Sequence, residues 1–200
     1  MTLRNQTIRV TFMTLFRNGA MALGFLALAS LSLGLFSATS HAASTAAELD
    51  RDAAQALARL IENNPAAAGV AEKAKAVLIF PSIIKAGLIF GGAYGEGVLQ
   101  KDGKVVDYYN SVSGSWGLQA GAQTYSYVVF LMNDEALGHL ERSKGWELGV
   151  GPSLVVVNEG VAKNLSTSTL TEDAYAFTFS QQGAMASLSI EGTKVSRIQR

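Results

Sequence analysis

This 200-residue chain has two imidazoles, His41 and His139, and no cysteine. Without cysteine there are no disulfides, thiol nucleophiles, Cys-ligated zinc, iron–sulfur clusters or thiol-linked lipid anchors. His139-Leu140-Glu141 has the outline of a deaminase His-x-Glu, but that chemistry takes its other zinc ligands from downstream cysteines. One imidazole with carboxylates alone is an unusual zinc set, so neither metal nor cofactor is expected and His139 reads as a polar position on a short helix. Glu96, Asp102, Asp107, Glu147, Glu159 and Glu191 fall in or beside expected hairpins. A glycosidase couple needs two carboxyl groups flanking one bond, and nothing in the sequence selects such a pair. A carboxylate-dependent hydrolase is therefore a minor alternative, and no catalytic residue is assigned.

The glycine-rich tracts fail as phosphate cradles. Gly95 and Gly97 supply two positions of a dinucleotide fingerprint, but Gln100 stands where the third glycine belongs. No Gly-Lys-Ser/Thr occurs anywhere, and both motifs require a strand leading into a helix. Ser113-Gly114-Ser115-Trp116-Gly117 misses the nucleophile elbow because Ser113 replaces its first glycine. Glycines inside strands mark bulges or sharp bends instead, the means by which a sheet curls on itself.

The elements that must position these residues begin after a distinctive leader. Arg4, Arg9 and Arg17 precede an apolar run of 17 residues, Ala20–Phe36, and no acid occurs before residue 43. Ser40 and Ala42 fit an A-x-A-like cleavage pattern with the cut between Ala42 and Ala43. The run lies at the lower edge of the roughly 17–25 residues of a membrane span, and no basic stop-transfer cluster follows. Residues 1–42 therefore read as a signal peptide, which makes the mature chain periplasmic or secreted. Residues 43–200 hold 13 basic and 16 acidic side chains, a net charge of −3. That balance argues against a nucleic-acid binder, whose affinity comes from neutralising phosphates.

Thr45 and Glu48 form a capping box. Leu49, Ala53, Ala56, Leu57 and Leu60 follow at helical spacing up to Asn63-Asn64-Pro65. The alanine-rich stripe predicts an N-terminal amphipathic helix over 43–64, docked on its own domain. A short second helix is expected over Ala66–Ala74. Strand character then begins: Ala76–Phe80, ended by Pro81; Ile83–Leu99; an Asp102-Gly103 turn; Val105–Asn110; and Gln119–Met132. Asn133 caps a helix from Asp134 to about Ser143, stopped by Gly145. Trp146–Val157, Ala174–Ser180 and Ala184–Ile190 read as further strands, the last two joined by Gln181-Gln182-Gly183. Short connections with one interrupting helix predict an α+β fold: N-terminal helices packed on a strongly curved, barrel-like, mostly antiparallel sheet.

Several ordered blocks carry a family resemblance. Lys75–Gly87 (KAVLIFPSIIKAG) with Gly91–Leu99 (GGAYGEGVL) resembles the SYLF domain family. So do Tyr108-Tyr109-Asn110 with Gly117–Gln123, Phe130-Leu131-Met132 with Ala136-Leu137, and Glu191-Gly192-Thr193-Lys194. The resemblance spans about residues 65–198, and residues 65–200 are expected to form the SYLF-like domain. It implies a lipid-binding domain without established catalytic residues. Phosphatidylinositol and actin-filament binding are attributed to eukaryotic relatives; bacterial relatives are secreted or lipid-anchored. Three departures stand out: no lipobox cysteine, Gly151-Pro152 where an acidic residue is common, and Gly183-Ala184-Met185 in place of Gly-Leu-Met.

Lipid binding needs cationic donors beside an apolar rim. Lys73, Lys75 and Lys85 form a local basic excess with no acid after Glu72, and Ile83 and Ile84 are the candidate apolar contacts. The sequence thus predicts an exported, non-enzymatic envelope protein whose partner is anionic lipid or a membrane surface, with peripheral attachment. A structural or protein-interaction module, contacting an envelope protein or a second copy of itself, is the alternative.

Overall fold

The computed structural model describes residues 45–116, 121–143, 145–162, 165, 169–183, 190 and 192–200. The expected leader, its Ala42/Ala43 cleavage site and the expected strand Ala184–Ile190 lie outside the described residues, apart from Ile190 itself. Ser44–Arg200 form one compact unit.

The capping box is in place: the Thr45 amide donates to Glu48 Oε2 at 2.8 Å and the Glu48 amide to Thr45 Oγ1 at 3.2 Å. It starts α1 (Ala46–Asn63). Asn64 ends α1 and caps α2 (Pro65–Ala71), accepting from the Ala67 amide at 3.1 Å with Pro65 in the first turn. Leu49, Ala53, Ala56 and Leu60 turn one stripe of α1 into the core. They pack on Ile79, Val98, Val128, Phe130 and Phe177 from one face of the sheet.

That sheet has eight strands: β1 (Ala76–Gly87), β2 (Phe90–Lys101), β3 (Lys104–Trp116), β4 (Gly121–Leu131), β5 (Trp146–Glu147), β6 (Leu154–Val157), β7 (Ala174–Gly183) and β8 (Lys194–Ile198). Their order is β5-β8-β3-β2-β1-β4-β7-β6. Every pairing is antiparallel except β6 with β7, and the sheet curls into a half-barrel. The α+β architecture is thus as expected. Inside the curl, Leu78, Phe80, Ile83, Tyr109, Tyr127 and Trp146 build a second core with Ala136 and Leu140 of α3 (Asp134–Arg142). A one-turn helix, α4 (Glu159–Ala162), and the strand β8 were not foreseen.

Several boundaries differ from the sequence reading. Pro81 does not end the first strand: β1 continues through it to Gly87. Two residues of β1 oppose one of each neighbour, Phe80-Pro81 against Gly97 and Pro81-Ser82 against Ser126, and Pro81 has no register partner on either side. A β-bulge therefore absorbs the missing N–H, which is how proline enters a central strand. Ile83–Leu99 is not one stretch, because the chain turns at Leu88-Ile89 between β1 and β2. Trp146–Val157 is split into β5 and β6 at opposite borders of the sheet. Gly149 and Gly151, with φ of 92° and 94°, turn the chain between them. Gln181-Gln182-Gly183 belong to β7 rather than to a turn.

Candidate functional site

His139 packs edge-to-face on Trp146, ring centroids 5.8 Å apart, and a Cβ on Gly151 would stand 2.9 Å from its ring. It is a packing residue wedged under a tight turn. Among the described residues no three acidic or histidine side chains are grouped to hold a metal ion.

The unusual surface lies at one end of the strands. Gly87 pairs with Gly91 and Gly121, Gly91 with Ser115, and Gln123 with Gly183. The end of β1, start of β2, end of β3, start of β4 and end of β7 are thereby gathered together. Sequence segments 86–95, 111–133 and 174–190, which supply these ends, contain no charged residue. Over the five terminal residues of each of those strands, Lys85 is the single charge. Six of the eight exposed large apolar side chains among the described residues sit here: Ile84, Leu88, Ile89, Phe90, Tyr94 and Val112. That concentration makes a patch rather than scattered exposure.

The opposite end of the sheet is charged. There Lys75 pairs with Asp134, Lys101 with Glu141 and Arg197 with Asp107. The three lysines expected to act together are consequently separated. Lys73 and Lys75 are exposed before the start of β1. Lys85 is ten residues beyond Lys75, roughly 30 Å along an extended strand. Lys85 projects with Ile83 toward the inside of the curl and is only 9% exposed. Ile83 is wholly buried, whereas Ile84, on the other face, is 48% exposed.

Lys85 stands in register between Ala93 and Gln123. The Gln123 side chain is buried, and its Oε1 lacks a hydrogen-bond partner among the described residues. An unmatched buried acceptor costs about 1–3 kcal/mol, so a donor arriving here would be gained at little expense. The surroundings are weakly solvated: burial pushes the Tyr125 phenol up to about 12.

Beside the bulge lies a cleft of about 410 Å³ lined by Arg59 of α1 with Ser82, Thr124, Ser126, Ser180 and Gln182. Ser126 Oγ donates to the Pro81 carbonyl at 2.7 Å, and Ser180 has φ of 54°. Hydroxyl groups with one guanidinium can hold a polar anionic group. Neither this cleft nor the apolar hairpin tip was read from the sequence. The available signal for the tip was Leu88-Ile89-Phe90 flanked by Gly87 and Gly91. For the cleft there was no signal, because Arg59 resembles any solvated helix residue.

Residues 112–200 match the family model described as Ysc84: Las17-binding protein actin regulator. The match opens in the second half of β3, so β1 and β2 precede the matched residues. No curated protein matches the chain. The Ysc84 family is the SYLF family, one of binding modules for lipid- and actin-related partners and not known for enzymes. Across residues 112–200, 89 of the 200, this chain is accordingly similar to the Ysc84, or SYLF, family.

Proposed function

We propose that this protein is an exported, non-enzymatic module of the cell envelope that attaches peripherally to a membrane and prefers anionic lipid. The observation that carries the reading is the polarised sheet: one end apolar and nearly free of charge, the other laced with ion pairs. A lipid surface accepts apolar side chains without requiring a shaped protein pocket. Lys85 and Arg59, behind and beside the apolar end, supply the cationic groups for an anionic headgroup, each worth about 1 kcal/mol near an anionic surface. Lys73 and Lys75 lie toward the far end and contribute little in this orientation. A protein-interaction role is the second reading, favoured by the actin-regulator description of the family. It predicts no affinity for lipid vesicles.

Co-sedimentation with phosphatidylcholine vesicles, with and without phosphatidylglycerol, at two salt concentrations tests the proposal. Anionic vesicles are expected to bind more tightly, with the difference shrinking as salt rises. Lys85→Ala and Arg59→Ala should each weaken binding to the anionic vesicles by about fivefold. The double variant Lys73→Ala with Lys75→Ala should leave it within about twofold of the parent. Absence of sedimentation with every vesicle would end the membrane reading. Equal losses from the two pairs of residues would move the contact away from the apolar end.

A further inference from the structure

Among the described residues, the most exposed large apolar side chains belong to the turn between β1 and β2. There Leu88, Ile89 and Phe90 are 70%, 61% and 63% exposed. Turns are ordinarily built from Gly, Pro, Asn, Asp and Ser, so three consecutive large apolar side chains at a tip are out of place in water. Beneath the turn the two strands approach closely. Gly87 lies opposite Gly91, and a Cβ on Gly87 would meet the Gly91 Cα at 2.5 Å and the Phe90 carbonyl oxygen at 2.7 Å. The Leu88 amide donates to the Phe90 carbonyl at 3.1 Å, closing the turn. Its β1–β2 and β1–β4 ladders run to Gly87.

The groups behind the tip are graded along the strand axis. Ile84, Tyr94 and Val112 stand in one cross-strand row, 48%, 50% and 45% exposed. The Tyr94 phenol donates to Glu96 at 2.9 Å, and Glu96 also pairs with Arg200. Moving away from the tip, one meets aliphatic and aromatic carbon, then uncharged glycine, then an amphipathic tyrosine, then a neutralised ion pair. Leu88 is four positions beyond Ile84, about 13 Å of strand. That is comparable with the roughly 5–10 Å to which interfacial segments enter the headgroup boundary, where tyrosine concentrates.

We infer that the β1–β2 hairpin is a membrane wedge: Leu88, Ile89 and Phe90 enter the hydrocarbon of one leaflet, with Tyr94 at headgroup level. The inference rests on the membrane-binding reading above and specifies the segment that inserts. A leaflet is the occupant because the exposed apolar turn has Lys85 and Arg59 behind and beside it, and the acid next to the patch, Glu96, is already paired with Arg200. A symmetric contact between two copies would bring two like-charged ends together, whereas anionic lipid supplies the complementary charge.

The cysteine-free sequence permits a clean test. Ile89→Cys creates the sole thiol, which is labelled with an environment-sensitive fluorophore; Asp102→Cys, at the other end of β2, is the control. Both are mixed with vesicles of phosphatidylcholine and phosphatidylglycerol, and circular dichroism verifies that each variant is folded. At position 89 the emission should shift to the blue, be quenched by acyl-chain nitroxide lipids and be shielded from aqueous iodide. The label at position 102 should stay accessible to iodide. In the unlabelled protein, Ile89→Asp should lower vesicle affinity by about tenfold or more at unchanged melting temperature. Sedimentation with vesicles while position 89 remains open to iodide overturns the wedge and leaves membrane binding standing. Absence of sedimentation overturns both. Self-association without lipid that Ile89→Asp abolishes, with no quenching by vesicles, assigns the tip to a second copy and also overturns the wedge.

Discussion

Gly92 and Gly97 lie on the same strand, yet an added methyl group would meet different surroundings. At Gly97 a Cβ would fall 2.3 Å from the Ile79 carbonyl oxygen and 2.6 Å from the Phe80 ring, which is itself stacked on Tyr127 at 4.6 Å. At Gly92 the nearest contact is the Ser113 carbonyl oxygen at 3.6 Å, an ordinary distance. Gly97→Ala should therefore destabilise the protein by about 2 kcal/mol or more, as overpacking against backbone does. Gly92→Ala should change stability by no more than about 0.5 kcal/mol, and urea-unfolding midpoints measure both. The sequence reading took the glycines inside strands as marks of bulges or sharp bends, and none of Gly91, Gly92, Gly95 and Gly97 has a left-handed φ. Close approach at the bulge is the operative constraint, and it becomes visible only once Ile79 and Phe80 are known to face Gly97. Lys85 illustrates the same limit: its basic neighbourhood was legible, but its inward direction depends on a one-residue bulge at Pro81 that flips the register of everything after it.

At the scale of elements, Asp173 joins three pieces of chain that sequence alone leaves unconnected. Its Oδ1 accepts from the Asn133 side chain at 2.6 Å, and Asn133 caps α3. Its Oδ2 accepts from the Ser153 amide at 2.8 Å and the Ser153 hydroxyl at 2.9 Å, ahead of β6. The Asn133 bond first, then the Ser153 bonds, hold the carboxyl below the usual aspartate range. A lowered folded-state pKa contributes stability that is complete above the ordinary carboxylate value and is lost as pH falls through the folded one. Thermal melts from neutral pH to below about pH 4 should thus show a shallower decline for Asp173→Asn than for the parent. Parallel declines would mean that the bonds carry no such linkage. The starts of α1 and α3 were legible because capping chemistry is local: Thr45 and Asn133 each accept from an amide three residues ahead. Asn64 caps α2 in the same way, but the sequence reading used it only to end α1. The strands were less so. The turn at Leu88-Ile89 lacks polar turn chemistry, and β5 and β6 look continuous until Gly149 and Gly151 are seen to reverse the chain.

At the scale of the whole molecule, the charge separation along the strands is the property that local patterns conceal, since it emerges only when five strand ends are brought together. Export is the accompanying proposal, and mass spectrometry of envelope-fraction protein should place the mature N-terminus at Ala43; retention of residues 1–36 would replace cleavage with an anchor. The borders of the sheet carry a different consequence. Among the described residues, the sheet ends in β5, two residues long, on one side and in β6, four residues long, on the other. A neighbouring molecule attempting to add a strand would find only a short row of backbone donors and acceptors at either border, far less template than a full-length strand offers. A protein that displays so much apolar surface at one end is thereby guarded from growing into ribbons through its flanks, so that crowding of many copies need not seed fibrils.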